Sequence, residues 1–78
     1  MKNKDSVLHK DSLEFAIFCI ENLAIKLSCE PKELYKTLVD NNILFSYIIP
    51  EYEILHTQSK EYILDDIIDV MNEKGVAI

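Results

Sequence analysis

The chain has 78 residues, enough for one small domain that buries only about 60% of the surface its unfolded chain exposes. Apolar residues make up 49% of it, with eleven isoleucines, one glycine and two prolines, which excludes disorder and, for want of turn residues, a many-stranded sandwich or barrel. Fourteen acids against eight lysines and no arginine give a net charge of −6, which argues against nucleic acid as a partner because arginine is the main reader of phosphate and guanine.

Residues 1–10 are polar, carry no apolar period and read as a frayed arm, leaving 11–78 as a single helical domain. The opening "MKNKDSVLHKDSLE" has no apolar signal core, and no run approaches the roughly 20 apolar residues of a membrane span. The expectation is a cytoplasmic protein with no membrane partner.

From a cap at Asp11 or Ser12, Leu13, Ala16, Ile20, Leu23 and Leu27 recur at helical spacing, flanked by Ile17 and Ala24. A second stripe of Phe15, Phe18, Asn22 and Ile25, with Cys19 beside it, leaves only Glu14, Glu21, Asn22, Lys26 and Ser28 of this helix to face water. A helix apolar on most sides is either central or sits at an interface. "EPKELYKTLVDNN" predicts a second helix: Glu30 caps, Pro31 takes the first helical position, Glu33 suits the positive end, and Asp40-Asn41-Asn42 stops it.

"ILFSYIIPEYEILHT" is rich in β-branched residues, but Pro50 cuts it and no partner strand of similar character exists elsewhere. It reads as a helical turn near 43–48 and a short helix from Pro50 to about Thr57. Thr57 or Ser59 then caps a last helix, which Lys74 and Gly75 close. The fold class is therefore all-α, a compact bundle of four short helices, five with the turn near 43–48. Its helices fall near 12–28, 31–41, 50–57 and 59–74, with Ile17, Ile20, Leu23, Leu38, Ile63 and Ile67 in the common core.

Glu61, Asp65, Asp69 and Glu73 stand four apart on the last helix and form an acidic ridge, with Asp66 beside it. Each like-charged pair at that spacing costs about 0.2–0.5 kcal/mol, and Lys60 and Lys74 lie at the ends rather than between them. The ridge is either a solvated face or a landing strip for a basic protein, where complementary charge speeds encounter. A calcium reading of Asp65, Asp66 and Asp69 fails because such sites use a flexible loop with a turning glycine.

Tyr47, Tyr52 and Tyr62 fall within sixteen residues around the helix junction, with His56 among them, and tyrosine's apolar body and polar tip suit a core edge or an interface. His56 invites a general-base reading with Thr57, Ser59, Cys19 and Asp65 as associates, but no oxyanion site or Gly-rich loop accompanies it. The plainer reading has His56 interacting with the free carbonyls of a helix C-terminus. Cys19 and Cys29, ten apart with no second pair, form neither a zinc set nor a redox motif and read as reduced, mostly buried thiols. No metal or cofactor is expected.

"LEFAIFCIENLA", "PKELYKTL" and "YIIPEYEILHTQSKEYILDDI" together resemble a family of small bacterial domains of unknown function. Members of that family are often encoded beside a second family that looks like ADP-ribosyltransferase toxins. The resemblance covers residues 13–71, with Ser59 where the pattern has a glycine. It implies no catalytic residues. It implies a partner, with the small acidic protein acting as an antitoxin-like or accessory subunit of the toxin-like enzyme.

The functional expectation is a non-catalytic protein interaction module, binding another, basic protein through Tyr52, His56, Glu61, Tyr62, Asp65, Asp66, Asp69 and Glu73, and also binding itself as a homo-oligomer. The alternative is a small enzyme or ligand-binding domain using His56 and the nearby acids. A DNA-binding antitoxin is disfavoured by charge.

Overall fold

The computed structural model describes the backbone of residues 2–76 and the side chains of residues 10–76. Its elements are α1 (Lys2–Leu27), α2 (Pro31–Asp40), a π-helical turn (Leu44–Ile48), α3 (Tyr52–Leu55) and α4 (Lys60–Glu73). The fold is all-α, with no strand among the described residues.

The expected helix start at Asp11 or Ser12 is corrected: α1 begins at Lys2 and runs through both. Residues 2–10 hold neither glycine nor proline, so a helix nucleated on the apolar stretch propagates through them at little cost per residue. The side chains of residues 1–9 of the expected arm, His9 included, and residues 77–78 lie outside the described residues.

All three long helices end in the same way. Cys29 N–H bonds Ala24 O while Ser28 N–H bonds Ile25 O, and the pattern repeats as Ile43 to Leu38 with Asn42 to Val39, and as Val76 to Met71 with Gly75 to Asn72. These are Schellman caps, which need one left-handed residue each, and Ser28, Asn42 and Gly75 have φ of 56°, 59° and 72°. The residue after each of them, Cys29, Ile43 or Val76, packs on the core, so each helix stop also turns the chain inward. Gly75 fills the role its sequence promises. Ser28 is exposed as expected, but it lies past the end of α1 rather than within the expected 12–28 helix and is the turning point between α1 and α2.

The helix starts differ from one another. Glu30 occupies the cap position of α2 in extended conformation, but its side chain makes no cap bond, and the ring of Pro31 opens the helix instead. Ser59 caps α4, its Oγ accepting from the Tyr62 N–H at 3.2 Å.

The segment 43–57 resolves into two pieces. Ile48 and Ile49 N–H reach back five residues to Ile43 and Leu44 O, the bonding of a π-helix, and this winding buries Leu44 and Ile48. After Pro50 the chain forms only the four-residue α3, shorter than the expected Pro50–Thr57 helix.

One hydrophobic cluster draws on every element, and α1 packs on both α2 and α4. Leu23, Leu34, Leu38, Ile43, Ile48 and Ile67 are fully buried. Ile20 and Ile63 are buried as expected, whereas Ile17 is 55% exposed, a correction. The inward stripe of α1 is Phe15, Ala16, Cys19, Ile20, Leu23 and Ala24, rotated away from the Leu13 line because α2 and α4 both cover the Cys19–Leu23 side.

Candidate functional site

The outer face of α4 follows from its register. Ile63, Leu64, Ile67 and Met71 face the core, so at 3.6 residues per turn Glu61, Asp65, Asp69 and Glu73 fall outward in a row, all exposed. Tyr62 lies within that row and is half exposed, one turn before Asp65 and Asp66. The row is not uniformly uncompensated. Lys26, from the last turn of α1, places Nζ 3.4 Å from Glu61 and 3.7 Å from Asp65. Asp69 and Glu73 have no cation at that range among the described residues.

Asp66 stands apart from its neighbours. Half-buried, it accepts the phenolic hydrogen of Tyr47 from the π-helical turn. Burial above all, then the Asp66 hydrogen bond and charge, with smaller contributions from Glu51 and Tyr62, holds the Tyr47 phenol above its ordinary range. Tyr47 therefore remains a neutral donor to a carboxylate.

Tyr52 and His56 meet on α3 with rings stacked at 4.4 Å, and the other side of Tyr52 meets Phe15 of α1 edge-on at 5.4 Å. His56 Nδ1 lies 2.8 Å from Tyr52 O at the C-terminus of α3. A carbonyl only accepts, so Nδ1 carries the hydrogen. The side chains that might serve His56 in catalysis are engaged elsewhere: Thr57 Oγ1 donates to Ile54 O, Ser59 Oγ caps α4, Cys19 is buried and Asp65 pairs with Lys26.

Of the sequence-predicted residues, the structure brings Glu61, Tyr62, Asp65, Asp69 and Glu73 onto one face and Tyr52 with His56 into one stack. Asp66 is turned toward Tyr47. Lys26, Tyr47 and Phe15 were missed as partners. The Lys26 to Glu61 pair spans 35 residues of chain, and no local spacing encodes it.

An open groove of about 290 Å³ between α1 and α4 is lined by Asn22, Ile25, Lys26, Lys60, Glu61 and Leu64, and His56 is not part of its wall. Among the described residues no group of three or more His, Cys, Asp or Glu side chains is placed to hold a metal ion, and no helix is long and apolar enough to cross a membrane. Both cysteines are free, Cys19 buried and Cys29 half-buried.

No curated protein and no solved structure matches the chain. Residues 14–74 match a family described as protein of unknown function, DUF3791, and this span takes in the second half of α1, α2, the π-helical turn, α3 and the whole outer face of α4. On that match the chain belongs to the DUF3791 family.

Proposed function

We propose that this domain is a non-catalytic protein interaction module, the antitoxin-like or accessory partner of a toxin-like enzyme encoded beside it, working in the cytoplasm. The partner docks a basic surface on the outer face of α4. The observation that carries this reading is the aligned row of Glu61, Asp65, Asp69 and Glu73 around the half-exposed Tyr62, with Lys26 offsetting only its first half. Uncompensated Asp69 and Glu73 offer a lysine or arginine side chain a counter-charge, and Tyr62, toward the start of the same face, offers a second one a ring face. The engagement of Thr57, Ser59, Cys19 and Asp65 away from His56 weighs against the enzyme reading.

The test is the association rate of the domain with the product of the adjacent gene over a salt series. Steering by the ridge predicts a rate that falls steeply as the screening length shrinks from about 30 Å at 0.01 M to about 10 Å at 0.1 M, and slower association for Asp69→Lys with Glu73→Lys. A rate indifferent to salt and to that double variant sinks the α4 docking, and no binding at all sinks the partnership. A substrate turnover lost in folded His56→Ala would instead establish the enzyme.

A further inference from the structure

Lys26 lies in the last turn of α1, just before the left-handed Ser28 and then Cys29, which packs on the core and so fixes where that turn sits. Its side chain lines the groove between α1 and α4 together with Ile25 and Leu64 and is 36% exposed, against 75% for Lys36 in the surface pair with Asp40. A lysine stem laid along apolar surface has already given up much of its rotamer freedom, so its head holds one place more readily than that of a free surface lysine. That place is 3.4 Å from Glu61 and 3.7 Å from Asp65, where an ammonium docking on the row from outside would stand. The first half of the row, two carboxylates against one ammonium, keeps a single net negative charge. The second half, Asp69 and Glu73, keeps both of its own, about 6 Å apart along the helix.

We propose, on the reading of α4 as the docking face, that Lys26 sets the register of docking: it fills the first half of the row from within the chain and admits a partner's cation at Asp69 and Glu73. This also defines the partner. Two open carboxylates one turn apart suit one lysine or arginine, or a close pair of them. A long basic run laid along the whole row would bring a cation against Lys26, and like charges set together at an interface are what reject wrong partners. Lys26 is therefore a specificity residue as well as a tie between α1 and α4. An exposed ion pair contributes little to folding, so removing the lysine charge leaves the domain folded while opening the other half of the row.

The probe is a short oligolysine peptide, titrated against the full chain at about 0.01 M ionic strength, with circular dichroism checking that each variant keeps its helix content. Lys26→Met keeps a stem in the groove and removes the charge, and it should tighten binding about twofold to fivefold, as should Lys26→Gln. Lys32→Gln on α2 makes the same change in net charge and should tighten binding less. Asp69→Asn should weaken binding more than Asp65→Asn in the parent, and the two should weaken it equally in Lys26→Met. Lys26→Met no tighter than Lys32→Gln overturns the proposal, and so do equal effects of Asp65→Asn and Asp69→Asn in the parent. Those outcomes leave the docking face itself standing. Asp69→Asn without effect in every background, or no binding by any form, removes the face and the proposal with it.

Discussion

Tyr47 donates its phenolic hydrogen to the Asp66 carboxylate, tying the π-helical turn to the middle of α4 across nineteen positions of sequence. The bond joins a phenol held neutral to a charged acceptor, the stronger class of hydrogen bond, and both groups are half-buried. It also fixes which α4 carboxylate turns inward, and so which remain for the outer row.

Tyr47→Phe should therefore cost about 1–2 kcal/mol in urea denaturation, since it leaves a half-buried carboxylate without its donor. Asp66→Asn should cost less, because an amide oxygen still accepts. Equal stability of Tyr47→Phe and the parent would mean that the bond contributes nothing net.

Leu23→Ala should cost about 2–5 kcal/mol, much of the stability of so small a domain, while Ile17→Ala should stay within about 0.5 kcal/mol. The sequence places both in the expected common core, and the structure buries Leu23 completely and leaves Ile17 exposed. Chemical denaturation of the two variants separates them directly.

That contrast marks what was legible. Helix existence and order follow from local signals, such as Pro31 at a start, Ser59 at a cap and Gly75 at a stop. The rotation of α1 about its own axis does not, because apolar residues on nearly every side leave the choice of inward face to the packing of α2 and α4. The site divides in the same way. The α4 row is written in the four-residue spacing of Glu61, Asp65, Asp69 and Glu73, while Lys26 against Glu61 and Tyr47 against Asp66 exist only once the chain has folded.

Ser28 holds φ of 56° in a conformation that a Cβ disfavours, at the cap where glycine is the commonest choice. Ser28→Gly should stabilise the domain by about 0.5–1 kcal/mol. Gly75→Ala should cost about 1 kcal/mol from φ alone, since an added Cβ meets nothing within 4 Å. Thermal unfolding of both variants measures the opposite signs, and a destabilised Ser28→Gly would point to a required serine hydroxyl instead.

Burial pushes the Cys19 thiol up to about 12 from an ordinary 9. Its raised pKa keeps the thiol protonated in the fold while the unfolded chain ionises, so this contribution is whole below pH 9 and is lost as pH rises from 9 toward 12. The slope is about 1.4 kcal/mol per pH unit, and Tyr47, also raised, adds to the fall above pH 10. Urea midpoints under reducing conditions from pH 8 to 11 should decline for the parent and decline less for Cys19→Ala. A thiol reagent should label the half-buried Cys29 in the folded protein and Cys19 only on unfolding.

Asp65 and Asp69 look equivalent in the ridge, but Lys26 makes them different. Asp69→Lys replaces repulsion from both Asp65 and Glu73 with attraction and should stabilise the domain by some tenths of a kcal/mol, about 0.5. Asp65→Lys gains the same from Glu61 and Asp69, yet it removes a 3.7 Å partner of Lys26 and sets a second cation beside it. Its net effect should fall near zero. In a Lys26→Gln background that penalty is absent, so the two lysine substitutions should then stabilise alike. Urea denaturation at low salt reads the difference, which should fade near 1 M, where the screening length is about 3 Å. Equal gains from both substitutions with Lys26 present would mean that the lysine does not sit on the ridge in solution, and that all four carboxylates of the row face a partner uncompensated.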